Sequence, residues 1–255
     1  MSKIVSFAAI HTTTMATTQV IFDLASRREY IKPLRDEIQQ VIDEDGQDTD
    51  GEGFLKLKKA SLTKLKKLDS FLKESQRMSP PGVSTFPFLF FQNPTNSSQV
   101  SNTRITTAPL SLSTGHTLPT NTRIAFPSQA VHLSPETLTF SATYNPSTNA
   151  PPSQFDGFRF YNLRLQPGKE NRHQFVSTSA DSLVFGHGNH ACPGRFFASN
   201  EIKVVIIELL RNWEFRIKGD TLGEGGVERR PRNHENELGI TPNMAAQVEF
   251  KRRKE

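Results

Sequence analysis

The run Phe185-Gly186-His187-Gly188-Asn189-His190-Ala191-Cys192-Pro193-Gly194-Arg195 contains the only cysteine of the 255-residue chain. Directly after it, Ala198, Ile202, Val205, Leu209 and Trp213 recur at helical spacing, so a helix is expected over 195–213. Glycines let a backbone turn tightly, and a helix N-terminus favours an anionic sulfur. A lone thiol among glycines at the head of an amphipathic helix therefore reads as a ligand held in place. Two other readings compete. A free cysteine is often a small buried hydrophobe. Alternatively, His187, His190 and Cys192 could form a zinc-binding module, but no fourth ligand stands at useful spacing, and zinc leaves Phe185 and the glycines without a role.

Composition narrows the class. At 35% apolar residues and a mean hydropathy of −0.50, the chain allows one good-sized domain or two small ones. One cysteine excludes an internal disulfide, which fits a reducing compartment. The longest apolar runs, Phe7–Ile10 and Val204–Ile207, are far too short to span a bilayer, and no signal peptide is visible. The net charge of +5 is modest, and Lys251-Arg252-Arg253-Lys254 reads as a solvated basic tail. No basic face with aromatic platforms points to a nucleic acid.

The first helix is expected over 3–25, despite Thr12, Thr13 and Thr14, whose hydroxyls can bond carbonyls one turn earlier. Pro33 suits a first turn, and Leu34, Ile38, Val41 and Ile42 form a stripe that stops at Gly46. From Lys56 onward, Leu62, Leu65, Leu68 and Leu72 recur at helical spacing, which makes the lysines there the wet face of one amphipathic helix. That helix ends in Glu74-Ser75-Gln76-Arg77, whose Glu and Arg share a face and can pair. Short strands are expected over Thr122–Phe126 and Met244–Phe250.

The loop 185–194 matches F-x-x-G-x-x-x-C-x-G at every fixed position and so resembles the haem-ligand loop of the cytochrome P-450 monooxygenases. Ala8-Ala9-Ile10-His11-Thr12-Thr13 resembles the family's distal helix pattern [AG]-G-x-[DE]-T-[TS], with Ala9 for the usual glycine and His11 for the usual acid. Glu74 and Arg77 resemble its E-x-x-R, and Arg159, within Phe155-Asp156-Gly157-Phe158-Arg159-Phe160, fits the arginine that completes a structural brace.

The resemblance implies a mainly α fold with minor β, the C-terminal half of the cytochrome P-450 fold, as one partial domain over 1–255. It implies haem b and O2, with Cys192 as the axial ligand of the iron, whose thiolate pushes electron density toward O–O cleavage. Gly186, Gly188 and Gly194 would let the backbone approach the macrocycle. Phe185 and His190 would line it, with His190 on a propionate, while Ala8 and Ala9 leave room on the other face. Thr12 and His11 would manage protons. Electrons would come from NADPH through a flavin-containing reductase, and the substrate would be an apolar small molecule. The A-A-x-H-T-T run resembles the fungal branch that oxidises terpenoids. A truncated, non-catalytic remnant is the alternative, since the family's N-terminal half does not precede Met1 here. Family members normally sit at the endoplasmic-reticulum membrane, but this chain shows no anchor and is expected to be cytoplasmic as written. Residues 87–108 and 141–153 depart from the family pattern and read as insertions or irregular loops.

Overall fold

In a computed structural model of the chain, residues 2–46, 48–49, 55–80, 100–136, 150–219, 229–236 and 239–254 are described. Helix α1 (Ser2–Ser26) absorbs its threonines by back-bonding. The hydroxyls of Thr14, Thr17 and Thr18 donate to the carbonyls of Ile10, Thr13 and Thr14 at 2.7, 2.8 and 2.9 Å. Such bonds satisfy the hydroxyls inside the helix, so poor local propensity is tolerated. The second half of α1 supplies core through Ala16, Val20, Phe22, Leu24 and Ala25. Helix α2 (Ile31–Asp45) carries Pro33 in its first turn and buries Ile31, Leu34, Ile38, Val41 and Ile42. Gly46, at φ +73°, ends it by donating to the Ile42 carbonyl at 2.9 Å.

The single helix expected from Lys56 to Arg77 is in fact two, α3 (Lys59–Lys64) and α4 (Lys66–Met78), broken at Leu65. The cause lies on a neighbouring helix. The Glu37 carboxylate of α2 accepts the N–H groups of Lys67 and Leu68 at 2.7 and 2.9 Å, capping the start of α4 from outside. Leu62, Leu65, Leu68 and Leu72 all remain buried across the break, because both helices face one core.

Helices α5 (Ser128–Leu133) and α6 (Arg159–Arg164) are short, and α7 (Arg195–Asn212) runs from the cysteine loop back into the core. The buried stripe of α7 is Ser199, Ile202, Lys203, Ile206, Ile207 and Leu210, one residue round from the expected face. Val205 is exposed, and Trp213 opens a strand. Helix α7 packs between α1 and α2, and α1 also lies on α4.

Every sheet among the described residues has two strands. Trp213–Ile217 pairs antiparallel with Val248–Arg252, so the closing strand starts later than expected and leaves Met244 exposed in a turn. Arg123–Pro127 pairs with Val100–Ile105, which places residues 100–105 of the unusual 87–108 stretch in a strand. Residues 106–108 and 150–153 are irregular chain, while 87–99 and 141–149 lie outside the described residues. The fold is mainly helical with small sheets. Among the described residues no helix is long and apolar enough to cross a membrane.

Replacing Glu37 with Ala strips two backbone N–H groups of their acceptor. An expected loss of about 1–2 kcal/mol, with Glu37→Gln losing less, is read from urea unfolding midpoints.

Candidate functional site

The cysteine loop is held by its own backbone. The Cys192 N–H donates to the Phe185 carbonyl at 2.7 Å, Gly186 N–H to Leu183 at 2.9 Å and Ala191 N–H to Gly188 at 3.0 Å. Gly186 and Gly188 stand at φ +74° and +63°, a region that only glycine enters without strain. Phe185 anchors the loop by packing edge-on against the buried Phe175 at 5.3 Å. Gly194 caps the N-terminus of α7, and a Cβ there would lie 3.9 Å from the Cys192 sulfur, an ordinary contact. Arg195 donates to the Cys192 carbonyl at 2.8 Å.

Cys192 is free and exposed, so it is not the buried hydrophobe of the first alternative. The zinc alternative lacks its geometry, since among the described residues no group of three or more His, Cys, Asp or Glu side chains could hold a metal ion. What remains is one accessible sulfur at the head of an 18-residue helix, in a glycine-shaped loop with His190 exposed beside it. A single accessible thiol outside any metal-binding group of side chains among the described residues fits a haem iron, which one protein thiolate can hold.

Behind the loop, Glu74, Arg77 and Arg159 meet in the interior, their side chains 0%, 4% and 1% exposed. Arg77 grips Glu74 with Nε and Nη2, both at 2.8 Å, and Arg159 Nε reaches Glu74 Oε1 at 3.2 Å. The Asp156 N–H donates to the same oxygen at 2.9 Å. Apart from a contact of Arg77 Nη2 with Met78 Sδ at 3.1 Å, the rest of both guanidinium groups goes to backbone: Arg77 to the carbonyls of His132, Pro152 and Gln154, and Arg159 to those of Ala150, Pro151 and Gln154. Gly157 belongs here for space, as a Cβ would fall 2.6 Å from the Phe71 ring.

Three buried groups that the sequence analysis missed connect this centre to the cysteine loop. Asp69 accepts Lys203 at 2.6 Å, Arg164 at 3.2 Å and the Phe175 N–H at 2.8 Å. The Lys73 ammonium donates to the Gln174 and Ser177 carbonyls, each at 3.1 Å, and to Ser182 Oγ at 2.8 Å. His132 Nε2 accepts the Leu183 N–H at 2.9 Å. Burial pushes Lys73 down to about 8, with Asp69 and Asp181 pulling the other way. Burial, then the charges of Arg77 and Lys73, push His132 down to about 4, so it is neutral at physiological pH. The lysines of the 56–73 region look alike in sequence. Only the Asp69, Lys73, Arg77 spacing of four marks a second, polar stripe on α4.

On α1, Thr12 is half-buried, His11 and Ala9 are exposed, and Ala8 lies in the helix. Farther along, Asp23 is buried and accepts Arg27 at 2.7 Å, Ser75 Oγ at 2.6 Å and Arg230. Arg230 and Asn233 also donate to Ser79 Oγ, at 3.3 and 3.0 Å, which ties the chain before the His234–Asn236 strand to the end of α4.

A family model described as Cytochrome P450 matches residues 2–87 and 95–224. This chain belongs to the cytochrome P450 family. It is 53% identical to the cytochrome P450 monooxygenase ascG of Acremonium egyptiacum over 98% of this chain and 44% of that protein. It is 38% identical to an ent-kaurene oxidase of Gibberella intermedia over 98% of this chain and 40% of that one. Among solved structures, the retinoic acid-bound cyanobacterial CYP120A1 shares the fold, with a TM-score of 0.64 at 17% identity over 97% of this chain and 44% of that one. The chain thus spans less than half the length of these relatives. Whole members of this family use haem and O2, with electrons from a redox partner. The family match breaks at 88–94, inside the 87–108 stretch.

Arg77→Lys keeps the charge but cannot reproduce the fork. A loss of roughly 2 kcal/mol or more is expected, read as a lower unfolding midpoint. A second expectation concerns acid. His132 is ringed by Arg77, Lys73 and Asp181 and takes up its proton near 4 when folded, against an ordinary 6.5. Its contribution is therefore complete above about 6.5 and lost as the pH falls through about 4, about 3 kcal/mol in all. His132→Gln keeps an acceptor for Leu183 and cannot titrate. Urea midpoints taken near neutral pH and at about pH 4.5 should fall less in that variant than in the parent.

Proposed function

We propose that this chain forms the thiolate-bearing side of a haem monooxygenase that inserts one oxygen atom of O2 into an apolar small molecule. The observation carrying this reading is the exposed, unpaired Cys192 sulfur at the head of α7, in a loop whose backbone is fixed on both sides. Haem b bound there supplies the oxygen-activating and electron-accepting chemistry. Cys192 would hold the iron through its sulfur, Phe185, Gly186, Gly188 and Gly194 would shape the surface that receives the ring, and His190 would offer a basic group to its carboxylates. On α1, the small residues Ala8 and Ala9 would face the haem, the Thr12 hydroxyl would hold a proton at its oxygen, and the exposed His11 imidazole would pass protons toward it. Glu74, Arg77 and Arg159 fix the segment behind the loop.

The A-A-x-H-T-T run and the relation to an ent-kaurene oxidase support a terpenoid substrate. Electrons would come from NADPH through a flavin reductase, with the whole protein at the endoplasmic-reticulum membrane. One observation favours a second reading, in which the chain as given is a non-catalytic remnant. Ile10, Phe197 and Phe196 stand 68%, 68% and 53% exposed, so apolar surface on α1 and at the start of α7 stays wet. Without cover there, water would enter the site and spoil oxygen chemistry.

Haem titration tests both. The parent should develop the absorption spectrum of thiolate-ligated haem, and Cys192→Ser should abolish it, since serine nearly matches cysteine in size but ligates iron poorly. Equal spectra in the two would remove Cys192 from the site. A signature that appears only after an N-terminal half from a related enzyme is supplied would select the remnant reading.

A further inference from the structure

The Glu74–Arg77–Arg159 centre does not touch the cysteine loop. Its hydrogen bonds end on the carbonyls of His132, Ala150, Pro151, Pro152 and Gln154. The chain entering the loop, residues 174–183, is gripped by other groups. Asp69 takes the Phe175 N–H, Lys73 takes two carbonyls and the Ser182 hydroxyl, and His132 takes the Leu183 N–H. Asp69, Lys73 and Arg77 stand four residues apart, so one face of α4 presents all three. His132 joins the two systems directly, because its carbonyl accepts Arg77 while its ring accepts Leu183. Two residues past Leu183, Phe185 receives the Cys192 N–H.

We infer that Lys73 and His132 are positioning residues for Cys192, coupling the Arg77 centre to the cysteine loop through the segment 174–183. The inference rests on the reading of Cys192 as the axial ligand. Two features of the site support it. Among the described residues no carboxylate stands within ion-pair distance of the buried Lys73, whose ammonium is spent on three loop acceptors and lies 5.2 Å from the centre of the Phe160 ring, as a structural clamp would be. A buried ammonium whose hydrogen bonds go to main chain and one hydroxyl is costly unless those acceptors are rigid, so clamp and segment order each other. His132 leaves its Nδ1 without a partner in a 1%-exposed site. Of the two ring nitrogens, the one with a partner is Nε2, and that partner is the Leu183 N–H.

Both residues are tested in the full chain by hydrogen exchange, with no haem present, and by the thiolate spectrum once haem is added. In Lys73→Met and His132→Asn the Leu183 and Cys192 amides should exchange about tenfold faster or more, and less of the bound haem should show thiolate ligation. His132→Gln sets an oxygen near the place of Nε2 and should restore both readouts, whereas the shorter Asn cannot. A general packing defect would not be rescued by Gln while persisting in Asn. Unchanged exchange at Leu183 and Cys192 in folded Lys73→Met and His132→Asn overturns the inference. So does a Gln variant that matches Asn. If neither variant folds, the parent decides: a Leu183 amide exchanging as fast as that of the exposed Asn189 would show that His132 holds nothing. Failure of the parent to give a thiolate spectrum, with the exchange pattern as expected, would instead count against the haem reading.

Discussion

Glu74 is a carboxylate taken wholly out of water, and the fold is arranged to make that tolerable. Four donors surround it, two from Arg77, one from Arg159 and one from the Asp156 backbone. Replacing such a cluster with apolar groups need not reduce stability, but removing one member leaves a buried charge alone. Its value is specificity. The two guanidinium groups have few orientations left once they bind Glu74, and their remaining N–H groups fix where the carbonyls from Ala150 to Gln154 must lie. An irregular stretch with no regular hydrogen bonding of its own thereby gains a single conformation. Gly157 then lets that stretch press against Tyr30 and Phe71, where any side chain would collide.

Helix α4 is the element that joins everything, because it is buried nearly all round. Leu68, Phe71 and Leu72 face the apolar core shared with α1, α2 and α7, while Asp69, Lys73, Glu74 and Arg77 face the irregular chain beyond. Each of these four polar side chains finds partners far away in sequence. Buried polar groups of this kind cannot slide by one residue without leaving several unmet. The register of the 174–183 segment, and so the place of Phe185 and Cys192, follows from the register of α4.

The sequence was most legible where residue type alone restricts geometry. The positive φ at Gly186 and Gly188, the stop at Gly46 and the closeness of Glu74 to Arg77 follow from what those residues can do. Legibility failed where a distant group decides a local outcome. The break at Leu65 comes from Glu37 on another helix, and no periodicity within 56–77 signals it. The stripe on α7 was placed one residue off because Ser199 and Lys203, polar by type, are buried by their neighbours. Lys203 is spent on Asp69 and the Leu62 carbonyl. Lys73 and His132 were invisible for the same reason: a buried lysine and a solvated one are spelled alike.

The burial of Lys73 bears on how the molecule responds to salt. Ions screen charges that they can approach, over about 8–10 Å at physiological strength. An exposed pair such as Arg216 and Glu249 is open to that screening. The Lys73 ammonium, wrapped by carbonyls and a hydroxyl, is closed to it. Rising ionic strength therefore loosens the outer surface while leaving the seating of the cysteine loop indifferent, so charged partners could come and go at that surface without disturbing the sulfur beneath.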